Sequence, residues 1–498
     1  MRNLSFFLLL LFFVLGLVAG LGAAQNSQRP NILFILIDDL GWMDLGYNGS
    51  TFHETPHLDQ FSREAMRFDS AYTASPMCSP TRVSIFTGKN PARTGITQYL
   101  PGWYSLKFRT ITPISNQFMP KTEYTLGMAF KDNGYNTAFM GKWHMGPLAF
   151  GGPEVHGFDT TAAIIEANRC SMFFPFRGVP YFPDAKEGDY FTDKLTDTAV
   201  EYLEGQKNED SPFFMYLAHF AMHSPIEAKQ ELYEKYEKKR AKLPPIDDLK
   251  DPYSHKLLKA RQDNPHYAGE LENLDENIGR VLEALKKSGQ YENTIIVFTS
   301  DNGGRVSIWT QKHPTSNQPL RAGKTFLFEG GIKVPLIIHW PGVTQPGMSS
   351  DTPVNSADFY PTLLEMTGIQ ERKQRDIDGM SITPLLQGKS LDREEMVWHF
   401  PHYQGEGAYP SSAIRQGPYK LIHNYHYDRD LLFNLETDPY EEHDLLEQKP
   451  DLAAAMKFRL LQSLHAVSAK MPIKNPSKDL TEDIAHKNGI NVKRPEPF

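Results

Sequence analysis

N-I-L-F-I-L-I, from Asn31 to Ile37, is an unbroken apolar run of strand length that begins just after Pro30 and ends in Asp38 and Asp39. A strand without polar alternation suits a parallel sheet buried on both faces. The two carboxylates at its end repel each other and are costly to desolvate, so they imply a compensating cation. A solvated turn is the plainer alternative. Gly41-Trp42 and Asp44-Leu45-Gly46 follow as a loop on the same rim, where open α/β sheets bind their ligands.

The pattern recurs along the chain. Thr294 to Thr299 is a second buried run and delivers Ser300-Asp301-Asn302-Gly303-Gly304, again oxygen side chains at a strand end. Thr137 to Met140 leads into Gly141-Lys142-Trp143-His144, Pro212 to Ala218 into His219 and His223, and Val334 to His339 reads as one further strand. Helical spacing separates them: His57 to Phe68, Thr125 to Asn133 closed by Gly134, Tyr190 to Gly205, and His266 to Lys287 closed by Gly289. Residues 229 to 262 are dense in charge and read as an exposed helical excursion away from any site. The expected fold is α/β, a large mostly parallel sheet flanked by helices. Asp38, Asp39, Asp301 and Asn302 make an all-oxygen set that suits Ca²⁺ first and Mg²⁺ second, rather than zinc.

From about Met396 the chain changes character. Tyr419 to His423 reads as a strand and Pro450 to Leu464 as a helix, which predicts a smaller antiparallel sheet with a C-terminal helix. The expected boundaries are a signal peptide over 1–24, a catalytic α/β domain over 25–390, a C-terminal subdomain over 391–470 and a polar tail over 471–498.

Between the first two helices stands Cys78 to Gly88, C-S-P-T-R-V-S-I-F-T-G. Pro80 fits the first turn of a helix, which puts Ser79 at the N-cap and Gly88 at the stop. Cys78 then precedes a helix N-terminus, where free N–H groups and the dipole favour an anion. Taken alone, such a cysteine is more often a buried thiol, and a disulfide with Cys170, the other of two cysteines, is a further reading.

The chain has 498 residues, more than one ordinary core, and a formal charge of −8, which argues against a broad nucleic-acid surface. Met1 and Arg2 precede an apolar run from Phe6 to Val18 and a small-residue stretch to Ala24, the pattern of a cleaved secretory signal. The run is short for a membrane span, so export to periplasm, exterior or lumen is expected, with no stable membrane insertion after cleavage. Asn48-Gly49-Ser50 is a formal glycosylation sequon.

Cys-x-Pro-x-Arg followed by Thr-Gly resembles the signature of the type I sulfatases of the alkaline phosphatase superfamily, with Thr81 where Ser is usual and Phe86 where Leu is usual. Gly141-Lys142-Trp143-His144, His156-Gly157-Phe158-Asp159, His223-Ser224-Pro225 and the G-K-T-F-L-F-E-G-G stretch around Lys324 resemble further motifs in the family's order, so the resemblance spans roughly residues 30 to 465. It implies an alkaline phosphatase-like fold and sulfate ester hydrolysis at formylglycine (3-oxoalanine), made from Cys78 by a formylglycine-generating or sulfatase-maturating enzyme. Asp38, Asp39, Asp301, Asn302 and residue 78 would hold the metal. Arg82 and Lys142 would hold sulfate oxygens, His223 with Lys324 would protonate the leaving alkoxide, and His144 would act as base for sulfate release. His219 reads as a core histidine or as one that supports the site from behind. Trp103, Tyr104, Lys107, Arg109, His399, His402 and Tyr403 suggest a sulfated saccharide substrate, or equally packing between domains. The alternatives are a phosphate mono- or diesterase on the same fold and a silent sulfated-glycan-binding protein.

Overall fold

The computed structural model describes residues 29–167, 170–179, 181–308, 314–371 and 375–476. The expected signal peptide and the last residues of the tail lie outside them. The strands of the main sheet are β1 (Asn31–Ile37), β2 (Met66–Phe68), β3 (Asn136–Lys142), β4 (Thr160–Ile165), β5 (Phe213–His219), β6 (Thr294–Ser300), β7 (Leu336–His339) and β8 (Ser349–Ser350). Their order across the eight-stranded sheet is β8-β2-β7-β6-β1-β5-β3-β4. Among the described residues only β7 runs against the rest, pairing antiparallel with β6 and β2. The sheet is therefore mixed but mostly parallel, as expected.

Because β1 lies centrally, both its faces are covered. Leu33, Ile35 and Ile37 join one core with α1 (Pro56–Glu64), α2 (Phe191–Gly205) and α3 (Pro265–Ser288). Ile32, Phe34 and Leu36 join the other with α4 (Phe359–Met366) and the Cys78–Thr87 helix, called αN here. Alternate residues of one apolar run thus feed two cores, which is why the run lacks polar alternation. At about 25 cal/mol per Å² of apolar surface, each such side chain contributes roughly 1.5–3 kcal/mol.

Three local readings change. The run from His57 to Phe68 is not one helix: α1 ends at Glu64, and Met66–Phe68 is a strand whose partners are β7 and β8. The αN helix begins at Cys78 with Met77 extended before it, so Ser79 is inside the first turn. Ser79 Oγ instead accepts from Leu100 N at 3.1 Å, a tertiary bond that displaces the local cap. The charged excursion holds a helix, Gln230–Arg240, followed by a short hairpin of Leu249–Lys250 with Leu257–Leu258.

The small sheet is an antiparallel meander of β9 (Met396–Phe400), β10 (Ser411–Gln416), β11 (Tyr419–Asn424) and β12 (Arg429–Asn434). One face packs on α5 (Pro450–Ala466) through Ile414, Leu421 and Leu432. The other, with Trp398, Ala413, Ile422 and Phe433, packs against Tyr72, Cys78, Phe326 and Phe328. The small sheet therefore backs the loops that carry the site.

Candidate active site

Strand register builds the site. Ile37 is opposite both Ser300 of β6 and His219 of β5, and Gly141 of β3 is opposite Ala218 of β5. Asp38, Asp301 and Lys142 therefore emerge on one rim. Gly141 has φ +96°, and a Cβ there would stand 2.0 Å from the Ala218 carbonyl oxygen, so only glycine lets β3 approach closely enough to deliver Lys142.

The polar groups then close on one another, all buried. Lys142 Nζ pairs with Asp38 Oδ2. Arg82 donates from Nε to Asp301 Oδ2 at 2.8 Å and from Nη1 to the Lys142 carbonyl at 2.6 Å, and its Nη2 is 3.9 Å from Asp38 Oδ1. Asp39 sits at φ 61°, a strained left-handed conformation for a non-glycine residue, and receives Lys324 Nζ on both oxygens at 2.6 and 2.7 Å. Asn302 Nδ2 also donates to Asp39 Oδ1, at 2.8 Å, while Asp39 N donates to Asp301 Oδ1 at 3.2 Å. Burial pushes Asp301 up to about 7, with the charge of Asp38 adding to it. Burial pushes Asp38 the same way, but Lys142 first, then His223, Arg82 and Lys324, hold it below the usual carboxylate range.

Two acceptors remain unmatched: Asp38 Oδ1 and Asn302 Oδ1 are buried and accept no hydrogen bond. Ligand atoms of Asp38, Cys78 and Asp301 lie within 4.8 Å of one another. Two oxygens on one Ca²⁺ are at most about 5 Å apart, twice a bond of about 2.3–2.6 Å, so this spacing and these unmatched oxygens fit a hard divalent cation.

Cys78 is buried, and burial pushes its thiol up to about 11, so it is protonated at neutral pH. Its Sγ lies 3.3 Å from His144 Nδ1. His144 Nε2 is 2.9 Å from the Leu100 carbonyl oxygen, which can only accept. Nε2 therefore carries the proton and Nδ1 presents a lone pair to residue 78. Burial, then Lys142 and Arg82, keeps this ring well below its ordinary pKa and so neutral. Half-buried His223 has the other tautomer, its Nδ1–H donating to the Ser224 carbonyl at 2.9 Å. Burial, then Lys142 and Lys324, pulls its pKa down to about 3.

A family model described as Sulfatase matches residues 30–369, and a second, N-sulphoglucosamine sulphohydrolase, C-terminal, matches residues 322–470. The chain belongs to the sulfatase family. A sulfatase of Formosa agariphila is 31% identical over 87% of this chain and 88% of its own length. The N-acetylgalactosamine-6-sulfatase of Mus musculus is 32% identical over 75% of this chain and 69% of its own. The crystal structure of Ps i-CgsB in complex with k-i-k-neocarrahexaose superposes with a TM-score of 0.71 at 29% identity, covering 93% of this chain and 97% of that one. This sulfatase is thus a sulfuric ester hydrolase with the fold its sequence implied.

Within the sulfatase, the residues expected at the site come together, and some proposed around it do not join them. His219 is buried, with neither ring nitrogen hydrogen-bonded, as a core histidine. His399 bonds Ser412 Oγ and the Lys470 carbonyl, His402 bonds Thr97 Oγ1, and Tyr403 stacks on Phe108 with ring centroids 4.2 Å apart. His402 and Tyr403 thus pack the small sheet against the loop after αN, and His399 ties the sheet to the segment after α5. Cys78 and Cys170 are both free thiols. Sequence reading missed what the Leu100 and Ser224 carbonyls do, because backbone carbonyls carry no residue-type signal. It put Asp44 on the rim loop without a role: the residue is buried, bonds Tyr267, Thr315 and Gly41, and so ties the first rim loop to the loop beyond Asn302.

Proposed function

We propose that this sulfatase removes sulfate from a sulfated carbohydrate by way of formylglycine formed at residue 78. The observation that carries the reading is the position of residue 78, within ligand distance of Asp38 and Asp301 and facing the lone pair of His144 Nδ1. A thiol held protonated by burial is a poor nucleophile, whereas an aldehyde hydrate at the same carbon offers one hydroxyl to attack sulfur and a second through which sulfate is later expelled.

Asp38, Asp39, Asp301, Asn302 and residue 78 would hold Ca²⁺, with Mg²⁺ second. When bound, the cation acidifies a hydroxyl beside it and neutralises sulfate charge. Asp38, Asp39 and Asp301 face Arg82, Lys142 and Lys324, three charges against three, so a divalent cation leaves the pocket positive toward a sulfate ester. Arg82 and Lys142 hold sulfate oxygens as negative charge grows. His144 Nδ1 takes the proton of the second hydroxyl, which restores the carbonyl and releases sulfate.

His223 protonates the leaving alkoxide from Nε2, the nitrogen not committed to Ser224. Its ring is neutral because burial first, then Lys142 and Lys324, disfavours the proton, and an arriving sulfate ester offsets those two charges and draws a proton onto it. Lys324 is the weaker donor, because Asp39 first, against the effect of burial, holds its ammonium above the ordinary lysine range.

A relative named for N-acetylgalactosamine 6-sulfate and a solved neighbour holding a neocarrahexaose support a sugar substrate. No helix among the described residues is long and apolar enough to cross a membrane. We read the chain as exported, matured by a formylglycine-generating enzyme, and divided near residue 390. Mass spectrometry of the peptide spanning Cys78 and Arg82 tests the chemistry: active protein should carry an aldehyde there, and a fully retained thiol in active material overturns the reading.

A further inference from the structure

Around the buried charges lies a second ring of half-buried polar side chains, and three separate loops supply it. Ser224 follows His223, Arg305 lies three residues beyond Asn302, and Glu406 is carried by the connection between β9 and β10 of the small sheet. Arg305 Nη1 donates to Ser224 Oγ at 3.2 Å, beside the carbonyl that orients His223. Arg305 Nε stands 3.2 Å from Glu406 Oε1, with side chains 19% and 14% exposed. The contact is close but badly aligned, since Nε has no well-formed hydrogen bond.

Glu406 is held in place by its own turn. Gly407 N donates to the Gln404 carbonyl at 3.0 Å, and Gln404 Nε2 donates to Gln98 Oε1 at 2.5 Å. Gln98 precedes Tyr99, a half-buried residue packed against the apolar cluster that contains Cys78. Burial first, with the charge of Glu406 adding to it, raises the Tyr99 phenol.

We infer that Arg305, Glu406 and Tyr99 form the subsite for the sugar ring that leaves, taking a neutral, hydroxyl-bearing ring and rejecting a second anionic group on it. This rests on the sulfated-carbohydrate reading above. Vicinal hydroxyls both donate and accept, so they satisfy a carboxylate and a guanidinium together, and the phenol supplies a third polar contact. Arg305 keeps donors beyond the two engaged by Ser224 and Glu406, and Glu406 keeps acceptor capacity beyond one contact. A second sulfate or a uronate on the same ring can accept from Arg305 but has nothing to donate to Glu406, whose charge it then meets. A pair serving only to join the two sheets has no need of partial exposure or of poor alignment at the mouth of a site.

The test uses metal-loaded enzyme carrying formylglycine and compares 4-methylumbelliferyl sulfate with galactose 6-sulfate, N-acetylgalactosamine 6-sulfate and N-acetylgalactosamine 4,6-disulfate. Glu406→Gln should lower kcat/KM about 30-fold or more on the best monosulfated sugar, mainly through KM, and several-fold less on the aryl sulfate. It should also narrow the preference for mono- over disulfated sugar. Arg305→Lys should show the same split with a smaller loss. Equal losses on aryl and sugar sulfates, or an undiminished rate on the sugar, overturn the subsite. If the wild-type enzyme cleaves only the aryl sulfate, the carbohydrate reading has failed and this inference falls with it, a result read before any variant is made.

Discussion

The rim cluster and a second buried ionic cluster of this sulfatase are built differently. The first holds Asp38, Asp39, Asp301, Arg82, Lys142 and Lys324 at the strand ends. The other joins the two sheets: Lys420 of β11 reaches Glu329 at 2.8 Å and Glu441 at 2.9 Å, Glu441 accepts from Glu329 N at 2.6 Å, and Tyr72 donates to Glu329 at 2.6 Å. Both are almost wholly buried, and both contain a non-glycine residue at positive φ, Asp39 and Glu441. Burial, charge and strain therefore do not separate a site from a brace. What separates them is matching: in the brace Glu441 Oε1 lacks a well-formed hydrogen bond but has Lys420 Nζ 2.9 Å away, whereas Asp38 Oδ1 lies 3.9 Å from Arg82 Nη2 and, like Asn302 Oδ1, accepts no hydrogen bond.

Removing a rim carboxylate should have the largest effect and should act on function. Asp301→Ala is expected to lower activity on the order of a thousandfold or more, with metal content falling in parallel by elemental analysis. Full metal occupancy in that variant, or in Asp38→Ala, would break the ligand assignment.

The brace should respond in stability instead. Lys420→Met leaves two carboxylates sharing a buried site without their cation, a loss of about 3–5 kcal/mol visible in denaturant unfolding. Activity per folded molecule should persist at low temperature. If activity vanishes while stability does not change, the brace shapes the site and the contrast drawn here fails.

A finer division lies inside the rim cluster. His223→Ala should slow sugar sulfates by about 100-fold or more and an activated aryl sulfate much less, because a phenolate leaves with little protonation. His144→Ala should release one burst of alcohol and then stall with sulfate on residue 78. The same leaving-group dependence in both variants would dissolve the two separate roles.

The smallest effect is a pH slope. Burial, with the charge of Glu329 adding to it, pushes Glu441 up to about 7 from the ordinary value of 4.5. The folded state thus holds a proton that the unfolded chain has released between those values. Its contribution is complete below about pH 4.5 and is lost as pH rises through 7. Glu441→Gln should flatten that part of the stability profile, and an unaltered slope would place the titration elsewhere.

Much of this was legible from the chain alone, for a physical reason that differs from element to element. Asn31–Ile37 is apolar at every position because both faces are buried, so its strand character and central place follow from composition. Asp38, Asp39, Asp301 and Asn302 stood out because oxygen side chains directly after buried strands are costly without a cation. The Cys78–Arg82 motif fixed the chemistry expected at residue 78. Other features were decided by partners far off in sequence. Ser79 gave up its cap for Leu100 N, and Met66–Phe68 became a strand because β7 and β8 supplied its hydrogen bonds. The tautomer of His144 depends on a carbonyl 44 residues away. His402 and Tyr403 went to packing because the small sheet lies against the loop after αN, and His399 because the segment after α5 folds back onto that sheet. Local sequence determines which groups must be buried and what they cost, and only the tertiary structure decides which of them are matched.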